Sequence, residues 1–455
     1  MKKPTPSATE RKMIEKYIRS FALNNEAQQI ADILMLVDNP FIDRTDNDLI
    51  SLIFHRFYKH TDIHAALPLF TYFSYLSAWC VINNVNYKVP LTSKSYELDT
   101  WVCLLAESGA SKSLSESILS SSLPTNPETN ERIIKSDIAM PASNASLVTQ
   151  IAELKNNRGY WKQDEASQFM KQVDQNTGPL ASIKQTLLLV KDHSNLTYAT
   201  KSDGKTTIEK PVLTVLFINT IKAMKAAFSE ESMIDGTFRR FTIAMAKKSE
   251  NYYGAKEFSD TALYCLDEIN DEILNNAMIE VFSQNIEDTS FTFTNACTKL
   301  YKQTWKIFWE KQYIKFLSEN EAYFRTYMME AWKYAIFHHL THKKSGTIVD
   351  EYSLQWGLKV SMYLLNSLQE FIKSNVTKPD VDNETSRIKS IMGFIKENED
   401  KQGFGIRSLC RKFHLKKDEV MSYLLSIKDN DKKFKTKLYD ELDKWQIKNK
   451  QSSDL

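Results

Sequence analysis

One stretch sets the fold class expected of this chain: Trp101-Val102-Cys103-Leu104-Leu105-Ala106-Glu107-Ser108-Gly109-Ala110-Ser111-Lys112-Ser113. Its apolar first five residues predict a strand buried on both faces, as in parallel sheets. The rest predicts a turn running into a helix from Leu114. Such a turn offers an anion unpaired backbone amides and the positive end of the helix dipole. The fingerprint for nucleoside triphosphates there is G-x-x-x-x-G-K-[ST]. Lys112 and Ser113 match it, while Ala106 and Ser111 replace its two glycines. Read this way, Ser108, Gly109, Ala110 and Ser111 wrap the phosphates of ATP. Lys112 reaches the β- and γ-phosphates, and the Ser113 hydroxyl sits on Mg2+. The alternative is an ordinary strand-to-helix turn with a surface lysine, since Lys-Ser pairs recur at Lys94, Lys201 and Lys389 with no strand before them.

Further strands follow. Gly159-Tyr160-Trp161 runs to Asp164-Glu165, and residues 212–218 run to Asn219-Thr220. Residues 239–246 make one more candidate, and helical patterns at 147–154, 183–190 and 221–228 alternate with the strands, as a parallel α/β sheet requires. Phosphoryl transfer to water needs one carboxylate for the metal and another for the water. Adjacent side chains in a strand point to opposite faces, so Asp164 is read as supporting the metal and Glu165 as polarising the attacking water. Asn219 is read as a sensor that positions water near the γ-phosphate. Two arginines, Arg239 and Arg240, follow Gly236 and offer a cation for the developing phosphate charge. Each has a plainer alternative: a solvated acidic pair, a strand-end turn residue, and a structural ion pair, the last favoured for Arg239.

The rest of the chain is expected to be helical. Eleven glycines in 455 residues is about 2.4%, against a usual 7%, and 11% of residues are aromatic. Residues 10–21, 27–37, 49–58 and 65–81 carry helical apolar spacing, the last apolar almost all round, so a helical N-terminal domain is expected over 1–95. The ATPase core is assigned to 96–250 and a helical region packed on it to 251–375. Trp305, Phe308, Trp309, Tyr313 and Phe316 form an aromatic stripe in that region; such a stripe is normally core, with base stacking the alternative. His55, His60 and His64, and His338, His339 and His342, lie at spacings able to bind metal, but no acid or cysteine completes either set. Five isolated cysteines argue against disulfides or a thiolate zinc site. No apolar run approaches the roughly 20 residues of a membrane span, so a soluble, cytoplasmic protein without membrane partners is expected.

Lys and Arg total 59 against 57 Asp and Glu, a net of +2. The excess is local, however. Residues 387–450 hold 17 basic and 10 acidic groups, 17 − 10 = +7. After a linker at 376–383, a basic winged-helix-like domain is expected over 384–455, with residues 406–427 as its helix-turn-helix. Ile406, Leu409, Cys410 and Phe413 make one apolar face, and Val420, Tyr423, Leu424 and Ile427 the next. Lys416 and Lys417 stand at the second helix, and Lys432, Lys433 and Lys435 where a wing would follow, positions suited to DNA phosphates. Phe434 and Tyr439 would pack that wing. The alternative is a protein-interaction domain with a solvated charged face.

The order of these segments resembles a known family. Phe73-Ser74-Tyr75-Leu76-Ser77, the loop at 108–113, Ala142-Ser143-Asn144-Ala145-Ser146-Leu147, Asp164-Glu165, residues 204–217 and Asp235-Gly236-Thr237-Phe238-Arg239-Arg240-Phe241 carry the likeness. Together they resemble the helicase-like P-loop proteins of plasmids, phages, satellites and other mobile elements, long catalogued as a domain of unknown function. The likeness spans roughly residues 68–371. It implies a RecA- or AAA+-like ATPase core that binds ATP and Mg2+ and assembles as a homo-oligomeric ring, a hexamer. It also implies DNA and other replication proteins as partners, with Arg240 matching the family arginine that acts across a subunit interface. The function expected is an ATP-dependent DNA helicase or replication initiator. The alternative is a DNA-binding initiator or regulator with a vestigial nucleotide site.

Overall fold

Asp48 opens the first helix among the described residues, α1 (Leu49–His60), where its Oδ1 accepts the amides of Ile50 and Ser51 at 2.9 and 3.1 Å. The computed structural model describes residues 48–61, 63–92, 94–173, 180, 182–200, 204–227, 238–246, 272–286, 288–309, 321–376, 391–401, 404–413, 417–430 and 435–445. The helices expected at 10–21 and 27–37 lie outside these residues, as do Gly236, Cys265, Tyr313, Phe316, Lys416, Lys432, Lys433, Phe434 and the linker beyond Val376. Helices dominate. The chain divides into two compact units, Met1–Phe371 and Ile372–Leu455.

Helix α2 (Ala66–Ile82) is buried on every side up to Val81, as a sequence apolar almost all round predicts. It lies against the central sheet, where Ser77 Oγ donates to the Leu98 carbonyl at 2.8 Å and meets Thr214 Oγ1 at 2.7 Å. The hairpin strands β1 (Asn86–Lys88) and β2 (Ser95–Glu97) follow, then β3 (Trp101–Ala106), buried along its whole length. The next elements alternate: α3 (Lys112–Ser121), α4 (Asn144–Ala152), β4 (Arg158–Asp164), α5 (Ser167–Val173) and α6 (Ile183–Lys191). A hairpin of β5 (Leu196–Thr200) and β6 (Gly204–Ile208) precedes β7 (Val212–Thr220), α7 (Ile221–Ala227) and β8 (Thr242–Ala246). The central sheet has the order β4-β7-β3-β8, with every neighbouring pair parallel. This is the parallel α/β sheet the apolar runs require. The strand expected at 239–246 begins only at Thr242, because residues 238–240 turn as a 3-10 helix.

The later part of the first unit holds α8 (Glu272–Phe282), β9 (Ser290–Phe293), α9 (Asn295–Phe308), α10 (Glu321–Thr341), β10 (Ile348–Val349) and all but the last five residues of α11 (Glu351–Val376). Helices α10 and α11 cover edge strand β8 and satisfy its outward groups. Ile243 N donates to Tyr327 Oη at 2.8 Å, Met245 N to Ser367 Oγ at 3.2 Å, and Tyr363 Oη to the Met245 carbonyl at 2.6 Å. An edge closed in this way cannot pair with another chain. A second sheet, β10-β9-β1-β2, has no counterpart among the sequence expectations. Its strands run only two to four residues and pair across wide gaps, Asn86 with Ser290 and Ile348 with Thr292, too short for a periodicity to register.

The second unit contains α12 (Ile406–Phe413) and α13 (Lys417–Asn430), packed together at the spacing expected of a helix-turn-helix. Ile406, Leu409, Val420, Leu424 and Ile427 form its core with Ile391, Ile395 and Leu442. Residues 439–445 are helical, so Tyr439 belongs to a helix rather than a wing, and Lys428 Nζ lies 5.4 Å from its ring centroid. No strand occurs among the described residues of this unit.

Candidate functional site

Strand register brings the expected site residues to one edge of the central sheet. Leu105 pairs with Asn219 and Asp164 with Ile218, so the ends of β3, β7 and β4 stand level at their C-terminal edge. Ligands of open parallel sheets bind at this edge. Strands lie about 4.8 Å apart, and β7 alone separates the acidic strand from the loop strand.

The loop itself, residues 107–111, is sharply bent. Gly109 has φ +81°, where a glycine costs nothing, but Ser111 also takes the left-handed region, at φ +54°. For a residue with a Cβ this costs about 1–2 kcal/mol. α3 starts immediately afterwards at Lys112, with no side-chain cap on its first amides. Lys112 Nζ donates back to the Glu107 carbonyl at 3.2 Å, so the side chain folds over the loop. Ser113 Oγ donates to Asp164 Oδ2 at 3.2 Å. Asn219, 4% exposed, accepts the Thr220 amide on Oδ1 at 2.7 Å, whereas its buried Nδ2 has no partner among the described residues. An unsatisfied buried donor costs about 1–3 kcal/mol, and strands rarely end on one without a ligand or water to receive it.

Glu165 departs from the geometry expected of it. β4 ends at Asp164, and Glu165 has φ +51°, with its amide on Asp164 Oδ1 at 2.9 Å. Strand alternation therefore does not set its direction; the left-handed turn into α5 does. Both acids are exposed at the mouth of the site.

Three further side chains tie this edge together, and nothing in their residue types or spacing marks them. Glu116, one turn into α3, pairs with Lys162 of β4 at 2.7 Å and accepts Tyr75 Oη of α2 at 2.7 Å. Helix α3 and strand β4 are thereby clamped to each other and to the buried helix α2. Burial pushes the Tyr75 phenol well above its ordinary pKa, so it stays a donor.

Arg240 lies elsewhere. Val102, at the start of β3, pairs with Thr242, so Arg240 stands at the N-terminal edge of the sheet, opposite its own loop. Its guanidinium meets Asp192 with Nη2 at 2.7 Å and Nε at 3.3 Å. Arg239 is half-buried on the same 3-10 turn. At this edge Asp99, 2% exposed, gathers Lys191 at 2.6 Å, His193 at 3.3 Å and Lys333, whose Nζ donates to the Asp99 carbonyl at 2.5 Å and pairs with Glu330 at 3.0 Å. Burial would raise the Asp99 carboxyl, but Lys191, Lys333 and His193 hold it well below the usual carboxylate range. Burial opposes the charge on Lys333 too, yet Glu330 and Asp99 hold its ammonium above the ordinary lysine value.

In the second unit Lys417 and Lys435 are exposed. Of the histidines, His338 Nδ1 meets Ser353 Oγ at 3.1 Å, His339 Nε2 meets the Gly346 carbonyl at 3.0 Å and His342 lies 3.7 Å from Asp48, each thus engaged by the fold. Cys80, Cys103 and Cys297 are buried free thiols and Cys410 is half-buried. Among the described residues no helix is long and apolar enough to cross a membrane. No protein-family model matches the chain, and no curated protein matches it either.

Proposed function

We propose that this chain is an ATP-driven DNA helicase or replication initiator of a mobile genetic element, working as a hexameric ring. The observation that carries the reading is the 3.2 Å contact of Ser113 with Asp164 beside Lys112, with the unpaired Asn219 amide on the strand between. Gly109 and its neighbours offer amides to the phosphates, Lys112 swings from the Glu107 carbonyl to the β- and γ-oxygens, and Asn219 donates to the γ-phosphate or the water beside it. Glu165 takes the proton-accepting place at the attacking water. Hard oxygen donors at Ser113 and Asp164 suit Mg2+, which binds through one or two carboxylates plus substrate phosphates. When bound, this ion neutralises the charge developing on the phosphates.

Arg240 stands too far from its own loop to serve it, which supports a role at a neighbouring subunit's phosphate. The local +7 charge and the exposed Lys417 and Lys435 support DNA contact by the second unit, with Lys416, Lys432 and Lys433 in the same basic run. Hydrolysis drives a motor only where nucleotide states differ in their contacts with DNA or a neighbour.

A second reading, a DNA-binding regulator whose nucleotide site no longer hydrolyses, is favoured by Ser111 holding a left-handed position and Ala106 standing where the loop's first glycine is usual. Steady-state ATPase with and without single-stranded DNA, on wild type, Lys112→Ala and Glu165→Gln, separates the two. The motor reading expects DNA-stimulated turnover lost in both variants. Equal, negligible rates in all three sink it, and retained ATP binding would then support the regulator.

A further inference from the structure

The second sheet and α9 enclose a groove of about 300 Å3 remote in sequence from the phosphate loop, lined by Leu91 and Tyr96 of the β1–β2 hairpin, Tyr301, Lys302 and Trp305 of α9, and Met329 of α10. Part of the aromatic stripe that periodicity assigns to the core therefore opens to a surface. Its rings are held from behind. Tyr96 stacks on buried Tyr87 at 5.5 Å and 28°, and Trp305 meets Phe324 edge-on at 4.8 Å and 71°. Fixed aromatic faces with few polar atoms beside them suit flat π-systems and read no hydrogen-bond pattern.

The hairpin turn and α9 bring only basic charge to the groove. Residues 88–96 and α9 together hold Lys88, Lys94, Lys299, Lys302 and Lys306 and no acid. Lys94 Nζ stands 5.5 Å from the Tyr96 ring centroid. Two acids that adjoin lining segments are already engaged, Glu97 by Arg158 at 2.8 Å and Glu330 by Lys333 at 3.0 Å. Among the described residues no carboxylate pairs with Lys94 or Lys302. A polyanion carrying flat rings matches this surface, whereas an apolar protein side chain would leave the lysines without purpose.

We propose that this groove binds single-stranded nucleic acid, a base stacking on Tyr96 or Trp305 while the flanking phosphates meet Lys94 and Lys302. The site tolerates any base, because aromatic platforms recognise the π-face that all bases share. It goes beyond the nucleotide-site reading and depends on no residue of that site.

The test uses the full chain without ATP, so failure of the ATPase reading leaves it untouched. An oligothymidylate carrying 5-iodouracil is photo-crosslinked and the adducts mapped by mass spectrometry, and anisotropy of a labelled oligothymidylate gives affinity for wild type, Trp305→Leu and the Lys94→Gln/Lys302→Gln double variant. Expected are adducts at Tyr96 or Trp305 and an affinity loss of about tenfold in Trp305→Leu. The lysine variant, altered only at exposed side chains, should lower the slope of log affinity against log salt by about 1.4, two phosphate contacts at about 0.7 each. Adducts confined to other peptides, with wild-type affinity and salt slope in the lysine variant, overturn the proposal and make a protein partner's apolar side chain the occupant to test.

Discussion

Ser113 and Asp164, 51 residues apart in sequence, are joined by a 3.2 Å hydrogen bond at the C-terminal edge of the central sheet. A lone hydroxyl-to-carboxylate bond at an exposed edge contributes little to stability. Its significance is chemical, because it puts two hard oxygen donors side by side next to a lysine and a loop of amides. Glu116 holds that approach by pairing with Lys162 across the same two elements.

Ser111→Gly should leave the fold intact and improve the loop. The substitution removes about 1–2 kcal/mol of left-handed cost and adds about 0.5–1 kcal/mol of glycine entropy. Melting temperature should hold or rise slightly, and affinity for a fluorescent ATP analogue should hold or increase. Ser111→Val, β-branched in the same conformation, should lower both.

Asn219→Ala should separate activity from stability. It gives up the Thr220 amide contact, about 1 kcal/mol, and removes a buried donor that has no partner, worth about as much in the other direction. Urea midpoints should therefore stay within about 1 kcal/mol of wild type. ATP turnover should fall about a hundredfold, the scale for removing one preorganised donor.

Arg240→Ala should leave nucleotide binding unchanged and abolish hydrolysis, whereas Lys112→Ala should abolish hydrolysis by weakening the hold on the phosphates. Mixing Arg240→Ala with Lys112→Ala subunits should restore part of the activity, since some interfaces then pair an intact loop with an intact arginine. A mixture as inactive as either variant would confine Arg240 to its ion pair with Asp192.

Asp99→Asn should destabilise the first unit by about 3–5 kcal/mol, the usual result of breaking a buried charge cluster, here by leaving Lys191 and Lys333 without their carboxylate. The pH dependence has a definite sign. Asp99 is held below its unfolded value of about 3.9, so it contributes stability in full above that pH and loses it as pH falls towards the folded value. Wild type and variant should differ most near neutrality and converge under acid, which urea unfolding at pH 7 and pH 3 will read.

Local pattern was enough for some of this architecture. A continuous apolar run at 101–105, a polar end at Asp164 and another at Asn219 announced parallel strands, because a strand covered on both faces has no use for alternation. Apolar spacing at 406–427 likewise announced the two packed helices of the second unit. The edge of a strand was less legible: alternation implied opposed directions for Asp164 and Glu165, but the chain leaves the strand between them.

The candidate site divides along the same line. Residue type and order picked out Lys112, Ser113, Asp164 and Asn219, since phosphate and magnesium chemistry demands those groups wherever they lie. Only packing could level three strand ends, join Ser113 to Asp164, leave the Asn219 amide without a partner and carry Arg240 to the far edge. Only packing, too, opened the Trp305 stripe to a groove, because helical spacing tells which residues share a face and not what covers it. Such relations depend on register and on contacts between residues distant along the chain, and short-range periodicity holds no information about either.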